Sequence, residues 1–320
     1  MISDYFPPER RATALGVFSL GVPLGILVGF LAGGWLDQTL GWRQAFLVVG
    51  LPGVALAGIV ALTLKEPARG ASEGVQPGGA AAPSAPEVIA YLWRLRSFRH
   101  LSLASGLYAF VGYSVTNWAP AFLARSHGMQ QGDIGTALAL IIGIGGGIGI
   151  YLGGVLADRL ALRDPIGRIH VPFYAMLLSL PFAFPIYTTD ATGLALALFT
   201  IPAFLGLMYQ APAFAITQSL ATPMMRATAA AVLLFVINIV GLAMGPAITG
   251  ALSDALAPAY GDDSLRYALL IVSCALGWSA FHFRRAGRTL ASDLEHARRA
   301  AAREAAGLRV VGSAAGRDVS

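Results

Sequence analysis

Apolar stretches separated by short polar turns recur along the whole chain. Eight are long enough to cross a hydrocarbon core of about 30 Å as helices: roughly 13–36, 43–64, 100–123, 134–157, 169–188, 192–219, 228–252 and 266–283. None has an acidic or basic residue near its middle, as expected where a mid-membrane charge costs about 2.5–3.5 kcal/mol on insertion scales. The first stretch carries Gly21, Gly25, Gly29 and Gly33, and the fourth carries Gly145, Gly149 and Gly153. In water each glycine would weaken a helix by about 1 kcal/mol. In a bilayer the backbone bonds itself regardless, and small residues at every fourth position let two helices approach closely. The pattern predicts helices that touch, and slide, along smooth faces.

Composition agrees. Hydrophobic residues make up 56% of the chain and charged residues 12%, against about 25% charged in soluble domains; mean hydropathy is +0.66. The formal charge of +5 does not point to nucleic acid, because of where the charges fall. With the segment before the first stretch taken as cytoplasmic, the 22 Lys and Arg residues divide 19 inside and 3 outside, the latter being Arg43, Arg125 and Arg266. That bias sets orientation and places both termini in the cytoplasm. Met1 opens onto a polar, Pro-containing loop rather than a signal-peptide pattern. Cys274 is the only cysteine, and His100, His127, His170, His282 and His296 lack metal-ligand spacing, so neither a metal centre nor any other cofactor is expected. No Walker motif occurs, and no nucleophile–base pair or carboxylate cluster at one membrane depth that would make the chain a membrane enzyme.

The first two stretches are joined by a short turn at 37–42, and a Pro-, Gly-, Ala- and Ser-rich linker follows at 66–86. In 87–97 Val88, Ile89, Leu92, Trp93 and Leu95 alternate with Arg94 and Arg96, which reads either as a short helix on the inner membrane surface or as an extension of the third stretch. The tail from Arg284 reads as a solvated helix that frays after Gly307. The chain also repeats itself. Arg11-Ala12-Thr13-Ala14 opens the first stretch and Arg226-Ala227-Thr228-Ala229 the seventh; Trp42 to Phe46 opens the second and Leu265 to Leu269 the eighth. Internal repeats across a cytoplasmic linker are typical of secondary transporters.

Several segments resemble the major facilitator superfamily, and within it the spinster-like branch. Gly154-Val155-Leu156-Ala157-Asp158-Arg159 with Arg163 is similar to the superfamily's G-x-L-A-D-R-x-G-R-R loop, departing from it at Ala161 and Leu162. Asn117 to Leu123 followed by Ser126-His127-Gly128 is similar to the branch's seventh helix, Met225 to Ala229 through Asn238, Gly241 and Gly245 to its eleventh, and Phe6 to Ala12 to the loop before its fifth. The resemblance implies an all-α integral membrane fold whose eight transmembrane helices are the equivalents of helices five to twelve, without the first four. It also implies a division into 1–65 (last two helices of the first bundle), 66–97 (linker and interfacial helix), 98–285 (a complete second six-helix bundle) and 286–320 (cytoplasmic tail). The two glycine ladders would then meet at the seam between bundles, and Gly241 and Gly245 would face a helix the chain lacks.

By the same resemblance, polar residues in the third, sixth and seventh stretches are the substrate-binding candidates: Tyr108, Tyr113, Asn117, Tyr209, Gln210, Gln218 and Asn238. A mid-membrane amide needs a partner in protein or water, so each is equally open to a structural interhelical bond. Asp158, Arg159 and Arg163 are implied to latch onto the start of the first stretch near Arg11, helped by the affinity of a helix N-terminus for negative charge; Arg226 is the pseudo-equivalent, expected unpaired. No carboxylate lies mid-span to carry a coupling proton, so coupling to a proton or a sodium ion stays open. The implied activity is secondary transport of a small organic or amphipathic solute by alternating access. The alternative is a non-transporting fragment or paralogue that only folds or assembles in the membrane, with another chain supplying the missing helices. Basic residues that are almost all Arg, Lys65 being the one lysine, point to a bacterial inner membrane.

Overall fold

The structure is a computed structural model and describes residues 21–63, 83–164 and 166–305. Arg11, most of the linker and the end of the tail lie outside these residues. All regular elements among the described residues are helical.

Helices α1 (Gly21–Leu40) and α2 (Trp42–Thr63) turn at Gly41, whose φ of +80° is open to glycine at no steric cost. Helix α3 (Ala85–Arg94) starts where the Glu87 carboxylate accepts the Ser84 N–H at 2.8 Å. It is a separate helix, because Leu95 is extended (φ −76°, ψ 115°) before α4 (Arg96–His127) begins. The fourth span is α5 (Gln131–Leu138), a π-helical turn at Ala139–Gly145, and α6 (Gly146–Ala161); the fifth is α7 (Gly167–Thr188). The sixth is α8 (Thr192–Leu207) and α9 (Gln210–Leu220), interrupted at Met208 and Tyr209. After a 3₁₀ turn at Pro223–Met225, the seventh is α10 (Arg226–Val236), a π-helical turn at Ile237–Ala243, and α11 (Met244–Tyr260). A second 3₁₀ turn, Gly261–Asp263, leads to α12 (Ser264–Ser273) and α13 (Ala275–Ala305). The apolar runs thus locate every span, while α11 continues past 252 and α13 continues the last span through most of the charged tail.

The chain divides into two compact units. Among the described residues the first joins 21–63 with Met129–Ile144. In it α1 lies on α5 through two glycines outside the ladder: a Cβ at Gly34 would sit 2.6 Å from the Gln131 carbonyl oxygen, and Gly135 faces Gly34 in return. Trp35 Nε1 donates to Thr136 Oγ1 at 3.1 Å, and Gln38 Nε2 donates to Gln130 Oε1 at 2.8 Å. Within this unit the ladder is not the face that meets α5. Among the described residues nothing comes within 4 Å of a Cβ built at Gly21, Gly25, Gly29 or Gly33.

Among the described residues the second unit joins 83–128 with 145–164 and 166–305. Its core centres on Phe98, Leu101, Leu220, Leu233, Phe283 and Leu290. The other ladder packs inside this unit against the sixth span: Gly149 faces the Phe204 carbonyl and Gly153 the Met208 backbone, where a Cβ would stand 2.6 Å from Met208 Cα. Met208 is a natural place for that approach, since Pro212 has no N–H to give its carbonyl. Gly241 and Gly245 also find a partner within the chain. A Cβ at Gly245 would stand 2.6 Å from the Phe110 carbonyl oxygen of α4, and Gly241 faces Ala109.

The tail is packed rather than solvated all round. Ala286, Leu290, Ala297 and Ala300 of α13 are buried. Asp293 Oδ2 accepts the Ser97 N–H at 2.8 Å, and Glu304 Oε1 accepts the Met224 N–H at 3.2 Å. Two carboxylates of the tail therefore serve donors left open at the N-termini of α4 and of the segment leading into α10. Tyr91 of α3 joins this layer, donating to the Leu220 carbonyl at 3.3 Å; burial, then Asp293 and Glu304, pushes its hydroxyl up to about 12.

Candidate functional site

The predicted solute-facing residues belong to the second unit, and two of the three spans that carry them lose helical regularity where they sit. Tyr209 and Gln210 mark the break between α8 and α9; Asn238 lies in the π-helical turn of the seventh span. Pro246 bears on the second irregularity: having no N–H, it leaves the Leu242 carbonyl without its helical donor. Single π turns inside helices mark functional sites often enough to be worth following.

Tyr108 and Tyr209 come together, with ring centroids 4.4 Å apart and planes tilted by 52°. Their approach depends on Gly206, where a Cβ would be 2.5 Å from Tyr108 Oη. Tyr209 is buried, also facing Phe283 at 6.5 Å, while Tyr108 is half-buried. Tyr113 is one turn on and lies against Gly241, its Cδ2 being 3.0 Å from a Cβ built there. The two asparagines are satisfied locally: Asn117 Nδ2 donates to the Tyr113 carbonyl and Asn238 Nδ2 to the Leu234 carbonyl, each at 2.8 Å. Each has its amide oxygen left to accept a bond. Gln210 is half-buried and Gln218 exposed, and neither makes a hydrogen bond among the described residues. Tyr108, Tyr113, Gln210 and Asn238 are half-buried, and Tyr209 is buried with Gln210 next to it in sequence. Gln218 and Asn117 are more exposed positions on the same two spans. A small apolar cavity between the third, fifth, sixth and eighth spans, walled by Phe122, Ile186 and Phe199 among others, contains none of these residues.

The loop carboxylate is held by a residue that the spacing did not single out. Asp158 Oδ1 pairs with Arg168 Nη2 of α7 at 3.1 Å, while Arg159 and Arg163 are exposed. The turn is tight: Gly167 N donates to the Asp164 carbonyl at 2.7 Å, and a Cβ at Gly167 would meet the Leu160 carbonyl at 2.6 Å. Asp158 is largely exposed, its side chain 71% open to solvent, so the pair contributes only about 0–1 kcal/mol. Arg226 is exposed, and among the described residues no carboxylate pairs with it.

Other polar contacts bring together residues far apart in sequence. Nδ1 of His100 meets Nδ1 of His282 at 2.8 Å, so one ring donates and the other accepts. At the opposite end of the unit Arg266, with a side chain only 10% exposed, holds Asp190 at 3.0 Å and Asp263 at 3.4 Å. His127 stands beside them, its Nδ1 3.3 Å from Thr192 Oγ1 and its ring edge-on to Phe122. His127 lies past the apolar run 100–123; burial first and the Arg266 charge second lower its pKa, against an opposing pull from Asp190. Among the described residues no three His, Cys, Asp or Glu side chains converge as metal ligands.

Comparison with known proteins gives these features a family. Residues 1–246 match the Major Facilitator Superfamily model. The chain is 34% identical over 279 residues to an MFS-type efflux pump of Mycolicibacterium smegmatis, covering 86% of this chain and 63% of that protein. It is 29% identical to protein spinster homolog 3 of Danio rerio, over 85% of this chain and 58% of that protein. The crystal structure of a bacterial homolog to the human lysosomal transporter Spinster, inward-facing and unoccupied, superposes with a TM-score of 0.78 at 25% identity, covering 91% of this chain and 74% of that one. The chain spans about three-fifths of the length of these two curated relatives. The family is one of membrane transporters rather than enzymes, and its fold is multi-pass and all-helical. The chain belongs to the major facilitator superfamily, in its spinster-like branch.

Proposed function

We propose that the chain acts in secondary active transport of a small organic or amphipathic solute by alternating access, in a bacterial inner membrane with both termini cytoplasmic. The observation that carries this reading is the coincidence of helix breaks with polar and aromatic side chains in the sixth and seventh spans: Tyr209 and Gln210 at one break, Asn238 at the other. Broken spans are where transporters expose backbone and side chains to a substrate. Tyr108 and Tyr209 supply the aromatic surface for an apolar body, and Gln210, Asn238 and Asn117 supply amide groups for a polar end. Asp158, with Arg159 and Arg163, is the conformational latch onto the start of the first stretch near Arg11, Asp158 meanwhile pairing with Arg168, and coupling is to a proton or a sodium ion. The arginine distribution supports the orientation, and the M. smegmatis relative's name, an efflux pump, agrees with transport of such a solute.

The test is flux into proteoliposomes carrying the purified chain, with a panel of amphipathic amines, carboxylates and lysolipids under imposed proton and sodium gradients. The reading expects gradient-dependent accumulation of at least one solute, lost in Tyr209→Ala and Gln210→Ala. Flux equal to that of empty vesicles across the panel would favour the alternative, a chain that only folds or assembles in the membrane.

A further inference from the structure

Helix α3 has two unlike faces. Val88, Tyr91 and Leu92 are buried, whereas Ile89 and Trp93, one turn apart on the other side, are 44% and 46% exposed. The chain turns at Leu95 into α4, and Arg94, Arg96 and Arg99 are all exposed around that corner. Arg285, exposed on α13, reaches the same neighbourhood, since its charge and that of Arg99 both act on His100. Among the described residues none of these four arginines has a carboxylate within 4.0 Å. Asp293 is close, but one of its oxygens is committed to the Ser97 N–H.

Four guanidinium groups without a carboxylate partner among the described residues, beside two exposed apolar side chains, form a cationic and amphipathic surface at the end of the membrane spans. Arginine presents a planar fork that matches phosphate oxygens, and its weak hydration suits an interfacial setting. Tryptophan prefers the headgroup level. A zwitterionic leaflet would accept Trp93 and Ile89 but would leave the arginine charge unbalanced; an anionic leaflet satisfies both.

We propose that α3 and the α3–α4 corner form a docking surface for anionic phospholipid, with Ile89 and Trp93 entering the headgroup layer and Arg94, Arg96, Arg99 and Arg285 binding lipid phosphates. The corner then fixes the depth of the second unit in the membrane, and its hold weakens with salt, because screening lengths near physiological ionic strength are about 8 Å.

The experiment uses the full chain in nanodiscs of phosphatidylcholine alone or with phosphatidylglycerol. A spin label at Ala90→Cys, in a Cys274→Ser background, reports depth through relaxation by oxygen and by an aqueous nickel complex. Phosphatidylglycerol retention by the detergent-purified protein is read by native mass spectrometry. The proposal expects the label at headgroup depth in anionic discs. It also expects phosphatidylglycerol preference to fall about fivefold for each arginine removed in Arg94→Gln, Arg96→Gln and Arg99→Gln, with Arg298→Gln unchanged as the control. A label in bulk water, or equal preference in all variants, overturns it. So would a label at headgroup depth with no dependence on anionic lipid, which would leave α3 an apolar anchor only.

Discussion

Helices α2 and α4 are both long enough to span a bilayer, but of the two only α2 is among the described helices apolar enough to do so by composition, and they live in different surroundings. Over Trp42–Thr63 only Ala45 is buried. Over Arg96–His127 the buried set includes Phe98, Leu101, Ala104, Ala109, Phe122 and Leu123, together with the hydroxyls of Ser97, Ser102, Ser105 and Ser114. Apolarity alone marks α2, whereas α4 is the more polar of the two. What separates the two is the serines on α4, which let neighbouring helices close in, while α2 presents Phe46, Leu51, Val54 and Leu62 outward. In lipid there is little hydrophobic gain from helix association, so packing and hydrogen bonds decide which faces are protein-facing.

The widest test of that contrast is truncation of one phenylalanine on each helix. Phe98 is fully buried and Phe46 is 75% exposed. Phe98→Ala is expected to cost about 3–5 kcal/mol, and Phe46→Ala less than about 0.5 kcal/mol, read as unfolding in mixed micelles with increasing denaturing detergent. A second contrast uses the two glycine ladders. Gly149→Leu must displace the backbone of the sixth span and is expected to cost up to about 3 kcal/mol, whereas Gly29→Leu enters space open among the described residues and should leave the same transition in place. Equal effects at the two sites would show that both ladders are packed.

Smaller effects sharpen the view of the second unit as one packed body that includes its tail. Asp293→Ala removes the acceptor of the Ser97 N–H and should cost about 1 kcal/mol, the ordinary price of a lost N-cap; hydrogen exchange at the start of α4 should rise with it. The last effect is a pH dependence. His127 has its pKa lowered by burial and by Arg266, so the folded state resists a proton that the unfolded state accepts near pH 6.5. Stability should therefore fall as pH drops below about 6.5, and His127→Gln should lose less over that interval in thermal melts. An identical pH profile in the variant would mean that His127 is not the group responsible.

How far the sequence reveals this molecule depends on what each feature needs. A long apolar run is legible on its own, and among the described residues five helices are long and apolar enough to cross a membrane, while α4 is long but less apolar. The partner of a small-residue face was not legible: four-residue spacing is the same for Gly25 and Gly29, which face nothing within 4 Å among the described residues, and for Gly149 and Gly153, which face Phe204 and Met208. The candidate solute residues were legible as polar positions in apolar surroundings, but the 4.4 Å meeting of Tyr108 and Tyr209 requires two spans to cross at Gly206. Pro212 and Pro246 each leave a carbonyl without its helical donor near a break, but Pro120, Pro181 and Pro202 sit inside unbroken helices, so proline alone does not locate the breaks. The Asp158–Arg168 pair depends on the tight turn at Gly167, and the Asp293–Ser97 bond joins residues 196 positions apart, so local pattern held no trace of it.

The central claim is that the breaks in the sixth and seventh spans open onto water and solute. Single cysteines at Gln210, Asn238 and Phe235, in a Cys274→Ser background, can be tested with a membrane-impermeant maleimide in vesicles of both orientations. Phe235 is 66% exposed on the helix that leads into Asn238 and would face lipid. The account predicts labelling at 210 and 238 and none at 235. Labelling at 235 with none at 210 and 238 would contradict it.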